Sequence, residues 1–568
     1  MITENSMSEL KNDRGKREFL LLIAALAIGM GLRLIGLGGT LFTGNELKLV
    51  YQAFQISQQT AVSSSSAPAY TGLTSLLFFL IEPSNFIARL LPALIGSSII
   101  AVPWFWRDKL RTKTSLILSF AMAIDPTFIV FSRAINGGIF AFAGILWALT
   151  LFRIRKPVLA GIALGIAFLG GVSFWNYLVL LAVVYIVTRL IEPSFRITGY
   201  CSISGDKPTK QFAMATTGFV ITIVIVCTSF LLDPSGMGGA GSGILEFFNQ
   251  FASRFEKPIY HSIYLVIAHS ILPIVLFFIG LFKTQGKDSH SVYRIVGLSV
   301  AFAIVFSMLI SRSSFELLLF PTFLIWTGGA FWLSDLEIKK SDLNLTNTEI
   351  SIFILSMLIY IFHNARRLSA LQLSNPQFSN ISLMIIAGVI LIILTWWLLI
   401  YACSKPTGNR VVMITLLVFI AVISLSSVFR GIGSDQAFRW NEYLDDKVLL
   451  PNKDIEHIHD EFALMGKPPA QVGSYQIAEL PEEMGWYFRQ FAIERSQESL
   501  SMLLTRSSEM PQSSVELRGM NVVLERSVNW FSNTPSSYLR LLVGGKPQFE
   551  NQNAVLWVRT NLFTGANQ

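Results

Sequence analysis

The chain has 568 residues, of which 52% are hydrophobic and only 14% charged, with a mean hydropathy of +0.54. Soluble proteins carry roughly 25% charged residues, so this chain lacks the polar material to cover a globular surface. A soluble enzyme, a disordered chain and a nucleic-acid-binding domain are excluded, and three cysteines (Cys201, Cys227, Cys403) exclude a disulfide scaffold or a CxxC zinc or redox site.

The formal net charge of +8 is unevenly spread: residues 1–429 carry +12 and residues 430–568 carry −4. No apolar run after Phe429 reaches the ~20 residues that a spanning helix needs. That break divides the chain into a cytoplasmic tail (1–17), a transmembrane domain (18–429) and a soluble C-terminal domain (430–568).

In chain order, the first apolar run, near 18–38, reads as a signal-anchor, because it is long and Ile35–Thr43 offers no A-x-A cleavage site. The loop 39–87 holds Thr43-Gly44-Asn45-Glu46, the serines 63–66 and a thirteen-residue apolar segment, 70–82, between Pro68 and Pro83. That segment is too short to cross and is expected to lie along the membrane surface. Twelve further apolar segments run from 88–106 to 410–428, making about thirteen spans. With 70–82 as a surface helix, seven basic clusters fall on one side, 22 Lys/Arg against 8 in the opposite loops. The positive-inside rule then makes the N-terminus cytoplasmic and the 430–568 domain extracytoplasmic in a plasma-membrane protein.

On that topology loop 39–87 is outer, as are the turn 132–138 and the loop 233–261. The glycine run 236–243 lacks the Lys-Ser/Thr of a P-loop and reads as a flexible lid or linker. Glu46 is the first carboxylate of the first outer loop, either solvated or catalytic. Asp125 lies seven residues before Ser132, about 10 Å below the outer end of its helix. At that depth it either faces a cavity or partner, or caps the kink at Pro126 and pairs with an arginine. Arg33, Arg89 and Arg133 sit at outer helix ends, where a guanidinium either holds a lipid phosphate or snorkels to headgroups. His269 and Glu316 carry weaker versions of the Asp125 argument.

In the soluble domain, Ile455–Met465 and Glu482–Phe491 read as helices, and Gln471–Ile477, Leu500–Thr505, Val522–Leu524 and Ala554–Val558 as strands, giving a small α/β fold. His457, His459, Asp460 and Glu461 are expected to be a solvated face, because His at i and i+2 diverge on a helix. No metal and no cofactor is expected.

Two stretches carry a resemblance: Ala88-Arg89-Leu90-Leu91-Pro92-Ala93-Leu94-Ile95-Gly96, and Asp125-Pro126-Thr127-Phe128-Ile129-Val130-Phe131-Ser132-Arg133. With the acidic first outer loop before them, they resemble the GT-C superfamily of polyprenyl-phosphate-sugar glycosyltransferases. The nearest groups are the protein O-mannosyltransferases, the lipid A aminoarabinose transferases and the uncharacterised flippase-associated set, which Trp486-Tyr487-Phe488-Arg489 also echoes. The resemblance implies about thirteen helices, a catalytic acid in the first outer loop and, in some members, an outward C-terminal domain. It also implies a polyprenyl-phosphate-linked sugar as donor and a glycan, lipid or protein as acceptor. The chain departs from the family at Asn45, where an Asp base is usual, at Gly138, where an Asp is common, and at Ala67-Pro68-Ala69, where Lys/His-Pro-Pro is common. Asn45 cannot serve as a base. Glu46 is left for that role, with Arg89 or Arg133 on the carrier phosphate and Asp125 and Arg33 as further substrate contacts. The alternatives are a catalytically degenerate scaffold in envelope glycan assembly and, third, a lipid-linked-sugar flippase or transporter.

Overall fold

The computed structural model describes residues 4–39, 42–60, 65–192, 208–252, 261, 263–264, 267, 270–283, 287–310, 315–336, 345–369, 377–402, 405–432, 447–449, 460, 474–477, 481–489, 492–493, 500–506, 516–528 and 549–560. Eight helices among them are long and apolar enough to cross a membrane, beginning with Gly15–Gly39 and Asn85–Phe105 and ending with Gly408–Ser426. Thr112–Ile124 and Pro126–Arg133 make a ninth if their 53° bend is one broken span. The chain is therefore a multi-pass membrane protein. Helix length alone does not give thirteen crossings: Gly138–Arg153 and Pro157–Phe168 extend about 24 and 18 Å, short of a ~30 Å hydrocarbon core.

Six helices surround the predicted site residues: α1 (Glu4–Leu34), α2 (Gly44–Ser57), α3 (Pro68–Leu80), α4 (Asn85–Ser98), α5 (Thr112–Ile124) and α6 (Pro126–Arg133). Proline at the first position of α3 has no N–H to strand and presets the helical φ. Its thirteen residues pack against α2 and α4. A seventh helix, α7 (Gly138–Arg153), begins after the turn that ends α6.

The guanidinium of Arg153 pairs with Asp108, and Arg111 pairs with Asp335 at 2.9 Å, so the two basic loops 107–113 and 153–156 share one end. At the other end Ser242 Oγ donates to the Ser65 carbonyl at 3.2 Å, joining loop 233–261 to loop 39–87. The glycine run is not a linker. Pro234–Gly241 forms a 3-10 helix that leads into a helix over Ser242–Ala252. Two of its glycines serve close approach: a β-carbon on Gly236 would overlap the Cys227 carbonyl, and one on Gly243 would meet the Gly171 backbone at 2.8 Å.

The C-terminal domain contains a six-stranded mixed sheet in the order β1-β5-β6-β4-β2-β3, with β1 Lys447–Leu449, β2 Ser474–Ile477, β3 Ala492–Ile493, β4 Leu500–Thr505, β5 Leu517–Val528 and β6 Phe549–Arg559. Strands β5 and β6 run well past the expected Val522–Leu524 and Ala554–Val558, because pairing with a neighbour continues where the polar Asn551–Asn553 breaks the apolar alternation. One sheet face (Met502, Leu504, Val522, Leu524, Ala554, Leu556, Val558) belongs to the same core as the helices, and Leu503, Leu517, Val555 and Trp557 cluster on the other. The helix expected over Glu482–Phe491 is a 3-10 segment, Glu482–Trp486. The reason is packing: Met484 to Phe488 are buried in succession, which no one-faced helix allows. The helix expected over Ile455–Met465, and His269, His457, His459 and Glu461, lie outside the described residues.

Candidate functional site

Thr43 starts α2 and sets Glu46 in place. Its hydroxyl accepts the Glu46 N–H at 3.3 Å, and Glu46 Oε2 accepts the Thr43 N–H at 3.0 Å, a reciprocal cap that satisfies two orphan donors. The cap turns the carboxylate inward, leaving Glu46 4% exposed while its neighbour Asn45 faces outward and is exposed. Arg89, one turn into α4 and fully buried, donates from Nη2 to Glu46 Oε2 at 3.0 Å. Its guanidinium also lies 4.5 Å from the centre of the Phe42 ring. The second carboxylate oxygen, Oε1, accepts the Ile135 N–H at 2.8 Å. Glu46 thus ties three separate segments: the start of α2, α4, and the turn between α6 and α7.

The other predicted residues gather beside this pair, around the break at Pro126. Proline carries no N–H, so the Met122 carbonyl loses its partner four residues on. Asp125 takes the Thr127 N–H at 2.9 Å as the cap of α6, which deprives the Ala123 carbonyl as well. Arg33 supplies both: its Nη2 donates to Met122 O at 2.8 Å and its Nη1 to Ala123 O at 3.2 Å. The other Asp125 oxygen accepts Trp326 Nε1–H at 2.8 Å. Arg133 closes the C-terminus of α1, donating to the carbonyls of Leu32, Arg33, Ile35 and Gly36 at 2.7–3.2 Å. Arg33 and Asp125 are near enough to attract each other, and Arg89 and Arg133 near enough to repel. All five predicted residues other than Asn45 therefore cluster, and all are buried.

A second carboxylate sits on the same turn. Glu316, partly exposed at the start of the span Glu316–Ser334, accepts from the Ser173 hydroxyl and from the Gly138 N–H, while its carbonyl accepts from the Tyr177 hydroxyl. At Gly138, where sequence reasoning looks for an Asp, the space above Cα is filled by this carboxylate, and a methyl group there would overlap it. Sequence reasoning gives Glu316 only minor weight, and it has no signal for Phe42, Trp326 or the Ile135 N–H as partners. Among the described residues no group of three His, Cys, Asp or Glu stands close enough to hold a metal ion.

No protein-family model matches the chain, and no curated protein matches it in sequence. Solved structures do. The crystal structure of ArnT from Cupriavidus metallidurans bound to undecaprenyl phosphate aligns with a TM-score of 0.52 at 14% identity, covering 97% of this chain and 99% of that one. The apo form of the same protein aligns with a TM-score of 0.50 at 14% identity, over 98% and 100%. The alignment takes in both the helical domain and the C-terminal domain, and the chain shares the fold of ArnT.

Proposed function

We propose that this chain is a membrane glycosyltransferase that moves a sugar from a polyprenyl-phosphate carrier to an acceptor hydroxyl, at the end of the helical domain that carries the C-terminal sheet. The observation that carries the proposal is the buried Glu46–Arg89 pair, in a fold whose solved relative ArnT holds undecaprenyl phosphate. A buried ion pair rarely repays its own desolvation through stability alone.

The pair has the two groups that transfer requires. The acceptor oxygen bonds to the anomeric carbon as the bond from that carbon to the phosphate oxygen breaks; the electron pair leaves on the carrier phosphate, and the acceptor proton passes to a base. Arg89 receives the phosphate and Glu46 receives the proton. In this structure each is paired with the other. A phosphate that draws Arg89 away leaves Glu46 with only the Thr43 and Ile135 N–H donors and opens its carboxylate to the acceptor hydroxyl. The base is thereby released only when the donor is present. Arg33, Arg133 and Asp125 serve this scheme by holding the broken helix against α1.

The acceptor is a glycan, lipid or protein hydroxyl. The basic loops face the cytoplasm, thirteen crossings count four of the short apolar helices as spans, and the sheet and loop 39–87 face outward. Purified protein bearing Glu46→Gln, supplied with undecaprenyl-phosphate-linked sugars, should lose transfer by about 10²-fold or more, on the scale typical of a lost general base; transfer at the wild-type rate would overturn the assignment. The rival is a scaffold that binds the carrier without catalysis. It is favoured by the closure of the pair, since Glu46 is 4% exposed with both oxygens engaged.

A further inference from the structure

Trp486 carries the C-terminal domain's ring contacts into the helical domain. Trp486, at the end of the 3-10 segment Glu482–Trp486, is fully buried although its segment belongs to the sheet domain. Its indole stacks on Phe78 of α3 at 5.4 Å between ring centres and meets Phe54 of α2 edge-on at 5.9 Å. Nε1–H donates to Asn85 Oδ1, at the start of α4, at 3.0 Å. Arg489 covers the indole at 4.3 Å and donates to the Pro83 carbonyl at 3.1 Å, which latches the plug in place.

The third ring that Trp486 touches is Phe42, edge-on at 6.2 Å and 84°. Phe42 is 1% exposed, lies in the irregular connection ahead of α2, and is the ring against which the Arg89 guanidinium rests. An unbroken line of contacts therefore runs from the soluble domain to the ion pair: Trp486, Phe42, Arg89, Glu46. A cation–π contact depends on where the ring stands. The Phe42 ring lies outside regular secondary structure, so packing must hold it, and the indole supplies one wall of that packing.

We propose that Trp486 is a positioning residue: by fixing the Phe42 ring it fixes the Arg89 guanidinium, so docking of the C-terminal domain sets how well the helical domain takes a polyprenyl phosphate. This rests on the reading that Arg89 receives the carrier phosphate. Docking also completes α2, α3 and α4 into one unit, since the indole touches a residue on each.

The test is equilibrium binding of undecaprenyl phosphate to the full-length protein in lipid nanodiscs, with folded fraction and thermal midpoint measured in parallel. Trp486→Ala should weaken binding by about tenfold, the scale of losing an oriented, desolvated cation–π contact. Trp486→Phe keeps an aromatic wall and loses only the indole N–H, so it should restore affinity to within about threefold of wild type. Phe42→Leu keeps the apolar bulk and the Trp486 contact but removes the ring beneath Arg89, and it should reproduce the tenfold loss even if Trp486→Ala fails to fold. Wild-type affinity in Phe42→Leu, or equal losses in Trp486→Ala and Trp486→Phe, would overturn the inference, because a purely structural plug would lower the thermal midpoint and leave the affinity of the folded protein unchanged. Arg89→Gln separates the two levels: loss of binding there with none in Phe42→Leu sinks the positioning role alone, and wild-type binding in Arg89→Gln sinks the carrier reading beneath it.

Discussion

Glu46 and Glu316 hold the same turn: the Ile135 N–H donates to the first and the Gly138 N–H to the second. Two carboxylates from distant parts of the chain thus converge on the short connection between α6 and α7. One is closed by an arginine; the other is partly exposed, with a hydroxyl and a backbone N–H on it.

That convergence fixes what should happen at Gly138. A methyl group there would overlap the Glu316 carboxylate, so Gly138→Ala should cost about 1–3 kcal/mol, the usual range for overpacking. Adding Glu316→Gly, which removes the Glu316 β-carbon at 2.6 Å as well as the carboxylate, should return part of it. Thermal unfolding of the single and double variants in detergent reads both, and additivity would show that the two residues do not press on each other.

The ion pair should show the asymmetry of buried charge. Glu46→Ala leaves the Arg89 guanidinium without its carboxylate and should destabilise by about 3–5 kcal/mol. The double replacement Glu46→Leu with Arg89→Met should cost much less than the sum of its singles. A double-mutant cycle by thermal unfolding gives the coupling directly.

Arg33 and Pro126 make a sharper pair. Arg33 feeds the Met122 carbonyl that Pro126 leaves without a partner. Arg33→Met should therefore be strongly destabilising, and Pro126→Ala, which restores an N–H at that position, should recover part of the loss. The expected coupling is about 0.5–3 kcal/mol, as for residues that share one network. No recovery would mean that Arg33 acts through charge alone.

The exposed pair at the opposite end gives a pH test. The Arg153 hydrogen bond holds the Asp108 carboxyl below its ordinary range. A depressed carboxylate stabilises the fold above its unfolded value and ceases to do so as pH falls through its folded value. Asp108→Asn should therefore match wild type in strongly acid solution and fall below it only near neutrality, by under about 1 kcal/mol, because the pair is solvent-screened. Thermal midpoints from acid to neutral pH check the sign.

Sidedness is read by impermeant maleimide on intact cells. Cysteine placed at the exposed Asn45 should label from outside, and cysteine at the exposed Lys109 only after lysis. The reverse pattern would invert the topology.

Much of this is legible in the sequence, though unevenly. The strand Leu500–Thr505 reads at its observed bounds and the short helix α3 within two residues, because apolar runs bounded by turn formers mark elements directly. Glu46, Arg89, Asp125, Arg33 and Arg133 are legible one by one, Glu46 as an outer-loop carboxylate, the arginines at helix ends and Asp125 at apolar depth. Their pairing is not. Periodicity says which face of a helix is buried and nothing about which neighbour it meets, so Arg33 on the Met122 carbonyl, or Trp486 on Phe42, needs the fold. The glycine run misleads for the same reason: small residues permit both flexibility and close packing, and only the Cys227 and Gly171 backbones decide between them.

The central claim is that a carrier phosphate takes Arg89 from Glu46. The most direct measurement is the affinity of the full-length protein in nanodiscs for undecaprenyl phosphate, compared between wild type, Glu46→Gln and Arg89→Gln. Removing the Glu46 charge frees Arg89 from its internal anion, so Glu46→Gln should bind as tightly as wild type or tighter, and Arg89→Gln should bind at least about tenfold more weakly, as for loss of a charge-assisted contact to phosphate. Equal affinity in all three proteins would contradict the exchange, and with it the role given to the pair.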